Sequence, residues 1–255
     1  MSGSDFKSSS VLITGSSRGI GLATAREFLE RGARVAVNGS TKASTEAAVV
    51  ELDAGDRVIA APGSVASVAG CESIVQTAID ALGGLDVLVN NAGVGEDFTM
   101  EECSEASWDH TMNVNLKGTF FASKAALGAL RSGGGSIVNV ASVAGLQGYT
   151  ESTVYCASKG GVVNLTRAMA VELAPTIRVN CVCPGYVDTD MVRRDYFDQS
   201  EDPAEAEREA VEGVPLQRIA TPGEVAKAIA YLASHDARFI TGHALTMDGG
   251  DSIGE

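Results

Sequence analysis

Short runs of Val, Ile and Leu alternate along the chain with longer stretches in which apolar residues recur every three or four positions. Continuous apolar runs suit strands buried on both faces, and their alternation with helical periodicity predicts βαβ units joined into a parallel sheet. The runs predict seven strands, at Val11–Thr14, Arg34–Asn38, Val58–Ala61, Leu85–Asn90, Ser136–Val140, Arg178–Val182 and Ala244–Met247. The pattern is that of a single-domain α/β protein, a doubly wound seven-stranded parallel sheet with helices on both faces.

Between the first two strands, Leu22, Ala25 and Leu29 form an apolar stripe, and Gly32 can take the left-handed conformation that stops a helix. Gly55 and Gly83 predict similar stops. A helix from about Thr153 is expected to end at Pro175, which cannot continue it. Residues 1–9 are polar and predict a flexible tail, leaving 10–255 as the folded unit. Residues 189–213 interrupt the alternation with a dense run of charge, and such an insertion is either a substrate lid or a solvated surface helix.

Composition narrows the class. A net charge of −14 disfavours nucleic acid or an anionic membrane surface as partner. No stretch approaches the about 18 apolar residues of a membrane span, and no leader is evident at the start, so a cytoplasmic protein is expected. The five cysteines, Cys71, Cys103, Cys156, Cys181 and Cys183, lack metal-type spacing, so reduced thiols and no metal site are expected. His110, His235 and His243 suggest no site.

Two segments carry candidate binding chemistry. The first strand runs into Gly15-Ser16-Ser17-Arg18-Gly19-Ile20-Gly21 and then a helix, so bare N–H groups and a helix N-terminus converge where a pyrophosphate could sit. The spacing G-x-x-x-G-x-G is neither the usual dinucleotide fingerprint nor a Walker A loop. Glycines at such a turn also serve close packing alone. Asn90-Asn91-Ala92-Gly93 follows the fourth strand, at the carboxyl edge where open α/β sheets bind ligands, and its asparagines can equally cap the sheet edge.

Tyr155 and Lys159 stand four residues apart, on one face of the predicted helix. A phenol of pKa about 10 is a poor base near neutrality, and a neighbouring ammonium lowers that value. With these residues in place, the ordered set Thr14-Gly15-x-x-x-Gly19-x-Gly21, Asn90-Asn91-Ala92-Gly93, Asn115, Ser142, Tyr155-x-x-x-Lys159 and Pro184-Gly185 resembles the short-chain dehydrogenase/reductases, and in general likeness the 3-oxoacyl-(acyl-carrier-protein) reductases and their relatives. The likeness runs from about residue 10 to Gly250.

The resemblance implies a Rossmann-type domain that moves a hydride between a nicotinamide cofactor and a carbonyl or secondary alcohol. It implies Tyr155 as general acid/base, Lys159 tuning it and holding the nicotinamide ribose, Ser142 binding the substrate oxygen, and Asn115 fixing a water that relays protons. Around the cofactor it implies Gly15, Ser17, Arg18, Gly19, Ile20 and Gly21, then Asn38, Gly39, Ser40, Ser64 and Val65. Asn91, Ala92 and Gly93 follow, with Pro184, Gly185, Val187 and Thr189 toward the nicotinamide. A homotetramer is implied through the helices carrying Asn115 and Tyr155.

The second strand ends in Asn38-Gly39-Ser40, without the carboxylate that NAD-linked relatives use on the ribose hydroxyls. Gly39 leaves room for a 2′-phosphate and Arg18 can pair with it, so NADP(H) is favoured over NAD(H). Ser40 replaces a frequent arginine, and Ser64 replaces the aspartate that usually faces the adenine. The substrate is expected to be a small ketone or 3-oxoacyl compound. The acidic lid disfavours an acidic carrier protein. The alternatives are an NAD-dependent alcohol or sugar dehydrogenase and a dinucleotide-binding regulator without catalysis; the presence of all four catalytic residues argues against the second.

Overall fold

The computed structural model describes residues 6–195 and 197–253. Its seven strands are β1 (Ser10–Ile13), β2 (Arg34–Val37), β3 (Val58–Ala60), β4 (Val87–Asn90), β5 (Ser136–Val140), β6 (Arg178–Pro184) and β7 (Ala244–Met247). They form one sheet in the order β3-β2-β1-β4-β5-β6-β7, every pair parallel. The order reverses between β1 and β4, and a crevice opens at the carboxyl ends of strands flanking such a switch point. The fold is the α/β Rossmann-type architecture expected.

Strand periodicity sorts the core into two layers. Val11, Ile13, Val35 and Val37 join Phe28 of α1 (Gly19–Glu30), Ala48 of α2 (Lys42–Leu52) and Ile229 of α9 (Pro222–Ala233) on one face. Leu12, Ala36 and Leu88 point the other way, against Ile74 of α3 (Val68–Leu82), Ala126 of α5 (Gly118–Gly133) and Met169 of α6 (Thr153–Leu173). Burial on both faces is why the strands read as continuous apolar runs rather than as alternation.

The first helix turns its face slightly from the expected stripe: Ala25, Phe28 and Leu29 are buried while Leu22 is half-buried. Two boundary expectations need adjustment and a third holds. Phe6, placed in the tail, is buried edge-on against Phe28 with ring centroids 4.8 Å apart, and Phe6 N–H donates to the Arg31 carbonyl. Burying such a ring contributes about 1.5–3 kcal/mol, enough to pin the residues before β1; residues 1–5 lie outside the described residues. The second helix stops at Asp53, which itself takes the left-handed conformation (φ 44°), so Gly55 opens the next turn instead of ending the helix. The long helix ends as expected at Leu173, and Ala174 before Pro175 is extended.

The charged segment folds into α7 (Asp190–Asp195) and α8 (Pro203–Gly213), joined through a short turn at Phe197–Gln199. Its base is clamped by a bridge between Val187 and Ala220. Between α4 (Glu105–Met112) and α5 the helix widens into one π-helical turn, Asn113–Lys117. Such turns need a local reason, and here it lies in the site. Among the described residues no helix is long and apolar enough to cross a membrane, and no group of side chains could hold a metal ion.

Candidate active site

A cleft of about 720 Å³ runs along the carboxyl edge of the sheet, from the N-terminus of α2 past the glycine turn to Tyr155 and the start of the charged segment. Most residues implied by the family pattern line it. Asn115 and Gly21 do not: each is packed behind its wall.

The glycine turn is held in place by side chains that face away from the cleft. Thr14 Oγ1 accepts from the N–H groups of Asn91 and Ala92, both at 3.1 Å, and Asn91 Nδ2 donates to the carbonyls of Thr14 (3.0 Å) and Gly15 (2.7 Å). Asn91 thus caps the edge and frames the cleft at once. Gly15 has φ +60°, and a Cβ there would lie 2.6 Å from Ala92 Cα. At Gly21 a Cβ would meet the Gly15 carbonyl at 2.4 Å, so that glycine packs the turn. Backbone can therefore approach a pyrophosphate where no side chain fits, a cradle that suits the dinucleotide.

Asn38 also braces more than it contacts. Its Oδ1 accepts from Gly15 N–H at 3.0 Å, and its Nδ2 donates to the carbonyls of Ala61 (2.8 Å) and Gly63 (3.0 Å). Gly39 was expected to leave space for a phosphate. Its missing side chain instead makes room for the start of α2, since a Cβ would lie 2.7 Å from Ser44 Oγ and 2.9 Å from Thr45 Oγ1. That approach brings Ser40, Thr41 and Ser44 to the cleft at the N-terminus of α2, where Thr41 caps Ser44 N–H. Sequence reading missed Thr41 and Ser44; the Thr41-x-x-Ser44 start of a helix was the available signal. Arg18 is exposed at the same end and has no carboxylate partner among the described residues. Ser64 lines the cleft, its Oγ accepting from Ala66 N–H, beside buried Val65.

At the other end the side chains face inward. Tyr155 lies on the third residue of α6, with Lys159 one turn on; Lys159 is buried, its Nζ 5.6 Å from the Tyr155 ring centre and donating to the Val140 carbonyl at 3.0 Å. Ser142 leaves β5 and caps the following turn through Ala144 N–H (3.1 Å). A Cβ on Gly93 would come within 3.2 Å of Lys159 Nζ, so this glycine keeps the ammonium's approach open.

The charges follow from burial. Tyr155 keeps some exposure at the cleft wall, yet desolvation pushes its phenol up to about 12, while a hydrogen bond with Ser142 acts the other way and the Asp97 carboxylate adds to the rise. Desolvation also brings Lys159 down to about 8. Within the chain itself the hydroxyl of Ser142 favours the phenolate, and Lys159 Nζ, 5.6 Å from the Tyr155 ring centre, gives one of its three donors to Val140.

Asn115 sits in the π-helical turn, 1% exposed. Its Nδ2 donates to the Val94 carbonyl (2.9 Å) and to Ser158 Oγ (3.0 Å), and its Oδ1 accepts from Val94 N–H (2.8 Å). Both amide donors are used, so this side chain braces the site and has none left to give a water. His110, to which the sequence suggested no role, reaches the cleft wall from α4.

The turn after β6 brings Pro184, Gly185 and Val187 to the cleft, and Thr189 packs 3.5 Å from where a Gly19 Cβ would stand. Beyond it, two arginines of the charged segment are met by carboxylates: Arg193 by Asp188 and Glu207, Arg208 by Glu205 and Glu212. Cys181 and Cys183 are buried on β6 among apolar neighbours, as structural thiols.

These features can be set beside known proteins. A family model described as Enoyl-(Acyl carrier protein) reductase matches residues 15–252. The (2S)-((R)-hydroxy(phenyl)methyl)succinyl-CoA dehydrogenase subunit BbsD of Thauera aromatica is 40% identical, over 95% of this chain and 96% of that protein. A 3-oxoacyl-(acyl-carrier-protein) reductase of Thermotoga maritima is 37% identical over 94% and 96%. The crystal structure of a short-chain dehydrogenase/reductase, glucose/ribitol dehydrogenase, from Brucella melitensis superposes with a TM-score of 0.91 at 33% identity, covering 98% of this chain and 99% of that one. The chain belongs to the short-chain dehydrogenase/reductase family. It is an oxidoreductase acting on hydroxyl or carbonyl groups, of a family that binds NAD(P)(H).

Proposed function

We propose that the protein is an NADP(H)-linked reductase or dehydrogenase of a small ketone or secondary alcohol, working through Ser142, Tyr155 and Lys159. The observation that carries this reading is the convergence of those three side chains on one end of a cleft whose other end is a glycine cradle. A nicotinamide bound there supplies or takes up the hydride. Tyr155, neutral because burial holds its pKa near 12, donates its proton to the oxygen that gains charge on reduction. Ser142 hydrogen-bonds the same oxygen and orients the phenol. Lys159, charged below about pH 8, stabilises that charge with the donors Val140 does not use and can hold the ribose. Asn115 enters this scheme as a brace.

The NADP(H) preference is supported at the far end, where Arg18, Ser40, Thr41 and Ser44 line the cleft near the N-terminus of α2 with no carboxylate among them, Asn38 being used internally. An uncharged small substrate is supported by the lid, whose Arg193 and Arg208 are already neutralised. A cytoplasmic homotetramer remains our reading of assembly and place, with Phe120 of α5 and Val171 of α6 exposed for helix contacts. The test is steady-state reduction of a panel of uncharged ketones and of acetoacetyl-CoA with each cofactor. We expect higher kcat/KM with NADPH and with the uncharged ketones. Higher kcat/KM with NADH overturns the cofactor assignment, and preference for the thioester overturns the substrate class.

A further inference from the structure

The same hydrogen bonds that withdraw Asn115 from the cleft single out Ser158. It is wholly buried within α6, three residues after Tyr155 and one before Lys159. Its hydroxyl has two partners in different elements: it donates to the Tyr155 carbonyl at 2.8 Å and accepts from Asn115 Nδ2 at 3.0 Å. A serine bonding back along its own helix gains little by itself and slightly loosens the helix, so the second bond needs its own account.

That bond leads to the segment behind the catalytic pair. Asn115 grips both polar groups of the Val94 backbone. Val94 is flanked by Gly93, whose Cβ position abuts Lys159 Nζ, and by Gly95, whose Cβ position lies 3.8 Å from the Tyr155 ring. One serine hydroxyl thus closes a loop from the Tyr155 backbone, through the Asn115 amide, to the strand of chain against which the Tyr155 and Lys159 side chains rest. The π-helical turn is held by a second hydroxyl, Thr119 Oγ1, which donates to the Asn115 carbonyl at 2.7 Å, and Ser123 Oγ donates to the Thr119 carbonyl at 2.7 Å. Ser123 in turn accepts from Asn90 Nδ2 at the end of β4. Asn90, Asn115, Thr119, Ser123 and Ser158 are each nine-tenths or more buried. Buried polar groups joined in this way hold one geometry and leave few alternatives.

We propose that Ser158 is a positioning residue for the reaction: through Asn115 it locks the start of α6 to residues 93–95, and so fixes where the Tyr155 hydroxyl stands. This rests on the reading of Tyr155 as the proton donor. Errors of about 1 Å in such placement cost up to about 100-fold in rate.

The experiment compares Ser158→Ala, Asn115→Ala, the double variant, Ser158→Cys and Tyr155→Phe, each checked for folding by thermal unfolding. For each, kcat and KM for reduction are measured alongside the NADPH Kd from fluorescence titration. We expect Ser158→Ala to lose between about 10- and 100-fold in kcat with NADPH Kd changed less than about threefold, and the double variant to be no slower than Asn115→Ala alone. Ser158→Cys keeps the volume with a weaker hydrogen bond and is expected to fall between wild type and Ser158→Ala. Wild-type kcat in folded Ser158→Ala, or losses that multiply in the double variant, overturns the positioning role while Tyr155→Phe stays inactive. Should Ser158→Ala not fold, Ser158→Cys decides alone: a kcat equal to wild type overturns the proposal. Turnover by Tyr155→Phe overturns the proton-donor reading itself, and the Ser158 role with it.

Discussion

The two ends of the cleft are built on opposite plans. Around the glycine turn the surface offered to a ligand is backbone, and the polar side chains of Thr14, Asn38 and Asn91 are spent behind it, holding the turn to β2, β3 and β4. At the catalytic end the arrangement is reversed: Ser142, Tyr155 and Lys159 point into the cleft, and backbone groups such as the Val140 carbonyl hold them. The first end recognises by fit, where added atoms do the damage. The second, on the proposed reading, acts by chemistry, where loss of one functional group matters and shape can stay unchanged. The cost of the second plan is visible in its charges, since burial works against the charged forms of both Tyr155 and Lys159.

Substitutions can sharpen this contrast. Lys159→Met keeps the volume and removes the ammonium, and we expect kcat/KM for reduction to fall by about 10²- to 10⁴-fold with the fold intact. In the unchanged enzyme the same group sets the pH profile: kcat/KM for reduction is level below about pH 8 and declines above it as Lys159 loses its proton, with Tyr155 still protonated. A profile level to pH 10 contradicts this.

At the other end, Gly15→Val is expected to weaken NADPH binding by about 5- to 150-fold. A side chain at φ +60°, pressed against Ala92, costs about 1–3 kcal/mol of strain. Loss of turnover without loss of binding breaks the contrast there. Arg18→Ala removes one charge-assisted bond, so kcat/KM with NADPH falls about 10-fold and that with NADH changes little. An equal fall with both cofactors removes Arg18 from 2′-phosphate recognition.

The smallest effect is on stability. A lysine held near 8 in the folded chain, against 10.5 when unfolded, binds fewer protons folded than unfolded between those values, so its penalty is full below pH 8 and fades as pH rises. Lys159→Met is therefore expected to be more stable than wild type at pH 7, by about 1–3 kcal/mol, and to have lost most of that advantage by pH 10. Chemical denaturation at the two pH values reads the difference.

The contrast also explains what could be read along the chain. All seven strands were legible because burial on both faces leaves continuous apolar runs, and the nearness of Tyr155 and Lys159 because residues four apart on a helix share a face. Phe6 was not, since one aromatic in a polar segment declares its pocket only when Phe28 is in place. The stop at Asp53 was missed because aspartate less commonly takes the left-handed conformation that Gly55 offers freely. The bracing of Asn115 depends on partners 21 and 43 residues away, and no local pattern encodes that. Thr41, Ser44 and His110 reach the cleft through the placement of α2 and α4, which a linear reading leaves open.

The proton-donor assignment meets its most direct trial in Tyr155→Phe, which deletes one oxygen and keeps the ring. We predict that single-turnover reduction, with NADPH bound to within about threefold of wild-type affinity, falls by at least about 100-fold and regains nothing at any pH between 6 and 10. Reduction at the wild-type rate, with the cofactor equally bound, would show that the proton comes from elsewhere.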